Sequence, residues 1–230
     1  MSGWVGNFFR VAWLVMRKDL TVEMRSREIL YTTAFFAASC ILVFAFGFVK
    51  QGRPVDDVSA GILWIAIAFA GTLALGRTFE RERTNETLQA LMLAPGDRPA
   101  VYAGKLLGIL VLLGFVEVLI VPMVALMFQA PLFRAPGLLV ALLAFGTLGF
   151  AAVGTLFAAM LVRARSRDVL LPVLLYPITI PVIIAGVRGT AAIMQEGGDP
   201  LARAWVAMLV FFDVVFITLS LWTFEAVMTE

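Results

Sequence analysis

Apolar residues in this chain come in six long runs, at 29–49, 59–76, 106–128, 137–162, 169–187 and 204–227. A spanning helix needs about 20 mainly apolar residues, and each run approaches or exceeds that. Lipid offers the backbone no hydrogen bonds, so each run must close its own, as a helix does. The alternating pattern of a membrane barrel is absent from them. The runs predict an all-α membrane protein of six transmembrane helices, a single domain over 1–230.

Three polar intervals modify this plan. In 1–28, Trp4, Phe8, Val11 and Val15 recur at helical spacing beside Phe9, Trp13, Met16 and Leu20, with Arg10, Arg17 and Lys18 interleaved. That pattern predicts an amphipathic helix lying in the membrane interface, its rings at headgroup level. In 77–105, the charged run Phe79-Glu80-Arg81-Glu82-Arg83 leaves the second span. Leu88, Leu91, Met92 and Pro95 then fall at i, i+3, i+4 and i+7, a short amphipathic helix that Pro95 ends. Turn chemistry follows at Pro95-Gly96-Asp97 and Arg98-Pro99. So short a helix is not stable alone in water, so it must be docked, against the membrane domain on one face and a partner on the other. The third interval, 188–203, carries Gly197-Gly198-Asp199-Pro200 and reads as an outer-side loop long enough for a short re-entrant helix.

Charge orients the spans. Arg10, Arg17, Lys18, Arg25 and Arg27 precede the first, Arg77, Arg81, Arg83, Arg98 and Lys105 lie between the second and third, and Arg163, Arg165 and Arg167 between the fourth and fifth. These are 13 of the chain's 18 basic residues, all on one side of the membrane. Basic loops stay inside, so both termini are expected inside. The net charge of +2 is a topology signal and forms no nucleic-acid-binding face. Apolar residues are 61% of the chain and charged ones 15%, against about a quarter charged in soluble domains.

Candidate chemistry is sparse. The chain has no histidine and one cysteine, Cys40, inside the first span. Histidine-based triads, histidine haem ligation and intrachain disulfides are excluded. Gly104-Lys105 is followed by Leu106 and lacks the upstream glycine of a phosphate-binding loop. If ATP powers this protein, another chain must bind it, and this chain alone should show no ATPase activity. Inside the membrane, Glu117 lies midway along the third span, and Pro172, Pro177 and Pro181 interrupt the fifth. Charged side chains at this depth cost about 2.5–3.5 kcal/mol on insertion scales and face protein or water. Three prolines make a regular fifth helix unexpected. These four residues are candidates for a transport path. Asp213 and Glu225 read as structural carboxylates near an interface. Gly104 and Gly108 form a G-x-x-x-G, and Gly146, Gly149 and Gly154 line the fourth span, faces expected to serve intramolecular packing.

Two sets of residues resemble known families. Arg81-Glu82, Thr87-Leu88-Gln89, Leu91-Met92-Leu93-Ala94-Pro95 and Gly104-Lys105 occur in the order found in permeases of the ABC-2 exporter type. Glu86 stands where that family usually has glycine, and Gln89 where it often has glutamate. The match implies that 77–105 holds an ATPase-coupling helix, with Arg81, Glu82, Glu86, Leu88, Leu91, Met92 and Pro95 as coupling residues. Over nearly the whole chain, an ordered set resembles the haem exporter protein B (CcmB) family. It comprises Trp13, Lys18-Asp19-Leu20, Glu23, Arg25, Arg27-Glu28, Gly61-Ile62-Leu63-Trp64, Phe69-Ala70-Gly71, Gly154-Thr155-Leu156, Leu170-Leu171-Pro172, Pro177 and Ile180-Pro181-Val182.

That resemblance implies an ABC permease subunit acting in haem export for c-type cytochrome maturation, in the bacterial inner membrane. It implies a homodimer paired with a CcmA-type ATPase, a CcmC-type haem-handling protein and a small CcmD-type subunit, serving a CcmE-type haem chaperone. This chain would hold no cofactor itself, with ATP on the partner and haem as cargo or as part of a remodelled chaperone complex. Read from the residues alone, an ABC-2 permease for a drug or lipid and a proton-coupled carrier using Glu117 stay open.

Overall fold

The computed structural model describes residues 2–50, 53–54, 58–84, 98–162, 164 and 166–227. Seven helices run through them: α1 (Ser2–Ser26), α2 (Glu28–Gly47), α3 (Ser59–Thr84), α4 (Arg98–Phe128), α5 (Pro136–Met160), α6 (Arg167–Met194) and α7 (Asp199–Val227). The last six are long and apolar enough to cross a membrane. An even number of crossings brings α1 and the end of α7 to one side, the side of the basic loops. A two-residue antiparallel pairing of Val49–Lys50 with Arg53–Pro54 follows α2, and a 3-10 turn at Leu132–Arg134 precedes α5.

The breaks between helices follow from local conformation. Arg27, at φ 52°, separates α1 from α2 in the left-handed region. Glu23 spans that break, its carboxylate accepting the Leu30 backbone N–H at 2.8 Å and so serving one of the orphan donors of α2. Gln129, at φ 53°, follows α4, and Gly197, at φ 74°, supplies the turn between α6 and α7.

Two intervals differ from their sequence expectation. The 188–203 loop is largely helix, because α6 continues to Met194 and α7 begins at Asp199. Pro200 sits at the second residue of α7, where a missing N–H costs nothing. Likewise Arg98-Pro99 opens α4 instead of forming a turn. Lys105 therefore stands well inside a helix.

α3 and α5 form the centre of the bundle. Their glycines receive side chains from neighbouring helices. The ring of Trp64 on α3 lies against Gly146 of α5 and Gly186 of α6, and its Nε1–H donates to Thr190 at 3.0 Å. Leu75 of α3 rests on Gly154, Phe150 of α5 on Gly71, and Leu142 of α5 on Gly189. In lipid, where apolar burial drives no association, such close approach is what holds helices together. The glycines of the fourth span thus serve packing within the chain.

α6 stays one helix through Pro172, Pro177 and Pro181. The helix is thus unbroken, although each proline removes a backbone N–H from its interior. Its packed face of Leu171, Leu175, Val182 and Ala185 supplies side contacts that local propensity lacks. Thr179 donates back to the Leu175 carbonyl at 2.9 Å.

Candidate functional site

The inner end of the bundle is built around α1. Ala12, Val15 and Met16 on its inward face are buried, while Phe9, Trp13, Leu14 and Met24 stay exposed. α1 docks on the start of α4, and Gly104 is the point of closest approach. A Cβ there would lie 2.6 Å from the Ala12 carbonyl oxygen and 2.7 Å from the Val15 Cβ. One residue on, the Lys105 Nζ meets Asp19 Oδ2 at 2.8 Å, with the lysine side chain only 2% exposed. A cation so deep is retained only when paired. The Gly104-Lys105 pair therefore clamps α1 to the third span: the glycine makes room and the lysine makes the bond.

A second brace lies at the foot of α6. The Arg167 guanidinium, buried, donates to the Gly76 carbonyl of α3 at 2.6 Å and lies 3.6 Å from Asp168. Arg77 of α3 stands 3.9 Å from Glu28 of α2, an exposed pair of the kind that contributes little to stability. These contacts tie α1, α2, α3, α4 and α6 together on the side where α3 carries on past its apolar stretch to Thr84.

Above this floor, a cleft of about 610 Å³ opens between α2, α3 and α6. Phe36, Phe69 and Tyr176 wall it, Pro172 lines it, and Arg77 and Asp168 stand at its polar end. The Phe69 and Tyr176 rings meet edge-on, and Thr72 donates to the Tyr176 hydroxyl at 3.2 Å. A separate groove of about 570 Å³ lies between α4 and α5. It contains Glu117, whose Oε1 accepts a hydrogen bond from Thr147 of α5. Asp213 is buried against Gly149, on the α7 side of α5, and neither of its oxygens finds a donor among the described residues.

The sequence candidates are thus not brought to one place. Pro172 lines the aromatic cleft and Glu117 the other groove, while Pro177 and Pro181 line neither. Of the coupling residues, Arg81 and Glu82 belong to the last turn of α3, with side chains outside the described residues. Glu86, Leu88, Leu91, Met92 and Pro95 lie outside the described residues altogether, and the side chain of Glu225 does too. Asp213 sits in the middle of α7, away from the interface expected for it. No group of three metal-ligating side chains occurs among the described residues.

Sequence reasoning missed the Asp19–Lys105 bond and the roles of Arg167 and Trp64. In the sequence Arg167 reads as inner-side charge, and Lys105 as that and as half of the Gly104-Lys105 pair. The available signal was Gly104 directly before Lys105 at a span boundary, where a close approach and a cation coincide.

Comparison with known proteins gives a consistent picture. The family model described as CcmB protein matches residues 10–229. A protein of Rhodobacter capsulatus named heme exporter protein B is 32% identical over 169 residues, 74% of this chain and 75% of its own length. The Paracoccus denitrificans protein of the same name is 31% identical over 196 residues, covering 84% and 85%. That of Pseudomonas aeruginosa is 28% identical over 196 residues, covering 85% and 87%.

Proposed function

The chain belongs to the CcmB protein family, and from that premise we propose that it is the permease subunit of an ABC exporter acting in haem export for c-type cytochrome maturation. The observation that carries this reading is the family match from 10 to 229, laid over six membrane-crossing helices. No phosphate-binding loop occurs in the sequence, so a separate CcmA-type subunit supplies ATP hydrolysis. The chain itself is no enzyme.

The ATPase contact on this reading is the coupling segment 77–105, which joins α3 to α4 in the sequence. Movement imposed there by the ATPase passes into two spans at once. α3 carries it to the bundle centre through Trp64 and Leu75. α4 carries it to α1 through Gly104 and the Asp19–Lys105 bond. α1, lying in the inner interface with exposed Phe9 and Trp13, gives the bundle something to push against. Two copies of the chain with the CcmA-type ATPase form the working unit in the bacterial inner membrane, with a CcmC-type haem-handling protein and a CcmD-type small subunit alongside. A CcmE-type chaperone receives the haem. With no histidine in the chain, the better-supported action is remodelling of a haem complex held by the partners.

Co-expression with the ATPase subunit and purification from native membranes test this. The pair should hydrolyse ATP and the chain alone should not. Sustained turnover by the single chain, or failure of any ATPase to co-purify, would sink the proposal.

A further inference from the structure

Glu117 lies half-buried on the flank of the bundle, in the α4–α5 groove. Among the described residues only Thr147 donates to its carboxyl, and only to Oε1. One residue on is a second acceptor. Pro122 lines the same groove and has no N–H, so the Val118 carbonyl loses its i+4 partner on that face. Val118 itself is 75% exposed. Two acceptors at mid-span therefore open onto a surface that acyl chains, with no donors, cannot satisfy.

The groove is also shaped for a close approach. Gly114, one turn before Glu117, has open space where a Cβ would stand, and Ala144 lies across from it on α5. Small residues beside a polar one are how membrane helices accept a neighbour. The remaining lining, such as Val140 and Phe133, is apolar and exposed.

We infer that this groove seats a transmembrane helix of a different subunit, which presents a Lys or Arg to Glu117 and the Val118 carbonyl. Charge complementarity picks the cation. A second copy of this chain does not fit: apart from Arg188, the described cations within its spans lie near their ends, at Arg77, Lys105, Arg167 and Arg203, and those of α1 and Arg134 lie outside the spans. Arg188 lies about two turns from the outer end of α6, whereas Glu117 lies about three turns from that of α4, so their depths differ. The inference rests on the reading of this chain as one subunit of a larger membrane assembly, and gives Glu117 an assembly role in place of a transport one.

The test uses the complete assembly in native membranes. A photo-reactive benzophenone residue replaces Val118, and adducts are mapped by mass spectrometry. The expected adduct joins a span of another chain that carries Lys or Arg within a turn or so of the linked site. Gly114→Leu, whose Cβ has open space and whose side chain would occupy the groove, should abolish that adduct. It should also lower recovery of the cross-linked subunit about tenfold, near the upper range of a membrane polar contact. Glu117→Leu and Glu117→Gln should do the same, because neither keeps the charge that faces the partner's cation, while each variant chain keeps the wild-type melting temperature. Adducts to lipid alone, adducts to a second copy, or adducts indifferent to Gly114→Leu would each overturn the inference. The ATPase should co-purify throughout. Its absence from the unmodified assembly would count against the permease reading instead, so the two failures are distinguishable.

Discussion

Gly104 and Gly108 form one G-x-x-x-G on α4, and the structure gives them opposite fates on substitution by alanine. In a helix interior, alanine is favoured over glycine by about 0.8–1.0 kcal/mol. At Gly108 the new Cβ meets the Asp19 Cβ at 3.8 Å, an ordinary contact, so the variant should keep that gain. At Gly104 the Cβ would stand 2.6 Å from the Ala12 carbonyl oxygen and 2.7 Å from the Val15 Cβ. Backbone cannot swing aside as a side chain can, so α1 must shift bodily. Overpacking of this kind costs about 1–3 kcal/mol, which outweighs the propensity gain. The shift also stretches the 2.8 Å Asp19–Lys105 bond, so the cost belongs in the upper half of that range. Net, Gly104→Ala should destabilise by about 1–2 kcal/mol and Gly108→Ala should be neutral or stabilising. A gap of about 2–3 kcal/mol corresponds to roughly 5–10 °C in a chain of this size. Thermal unfolding in detergent, followed by tryptophan fluorescence, measures it. In the assembled transporter, Gly104→Ala should also uncouple ATP hydrolysis from haem delivery while the six spans stay folded. Equal melting temperatures and equal activity for the two variants would refute the argument that Gly104 exists to seat α1.

Three further outcomes follow from the same packing. Trp64→Phe removes the 3.0 Å bond to Thr190 and part of a ring wedged between two glycines; it should cost about 1–2 kcal/mol in thermal melts, and Gly146→Ala should cost a similar amount by pushing the same ring. For the clamp, Asp19→Asn or Lys105→Met alone should each cost more than the double replacement by Asp19→Leu and Lys105→Met, because each single change breaks the 2.8 Å pair and keeps one of its charges; a double-mutant cycle on melting temperature reads the difference. Arg167→Lys should fail to replace arginine, because an ammonium cannot hold both the Gly76 carbonyl and the neighbouring Asp168 in one planar fork; limited proteolysis should then cut faster near the α5–α6 turn.

The sequence by itself determined the number of spans and their orientation, because both depend on quantities summed along the chain. Apolar run length sets a crossing, and the side with more lysine and arginine sets the inside; neither needs a neighbour in space. Family membership was legible for the same reason, as an ordered set of short motifs. What those motifs do was not. Gly104-Lys105 read as part of a family pattern, and only the packing of α1 shows it to be a notch and a buried bond. Gly61-Ile62-Leu63-Trp64 read as a likeness, and only α5 and α6 reveal the glycine slot that takes the ring. The three prolines argued against a regular helix, yet α6 is continuous because tertiary contacts override local propensity. Glu117 read as a path residue because linear position gives depth but not direction. Which way a helix face points is decided by its neighbours, and α5 turns Glu117 toward a flank of the bundle while α7 buries Asp213 within it. Depth and sidedness are properties of the chain; facing and closeness are properties of the fold, because they exist only between helices.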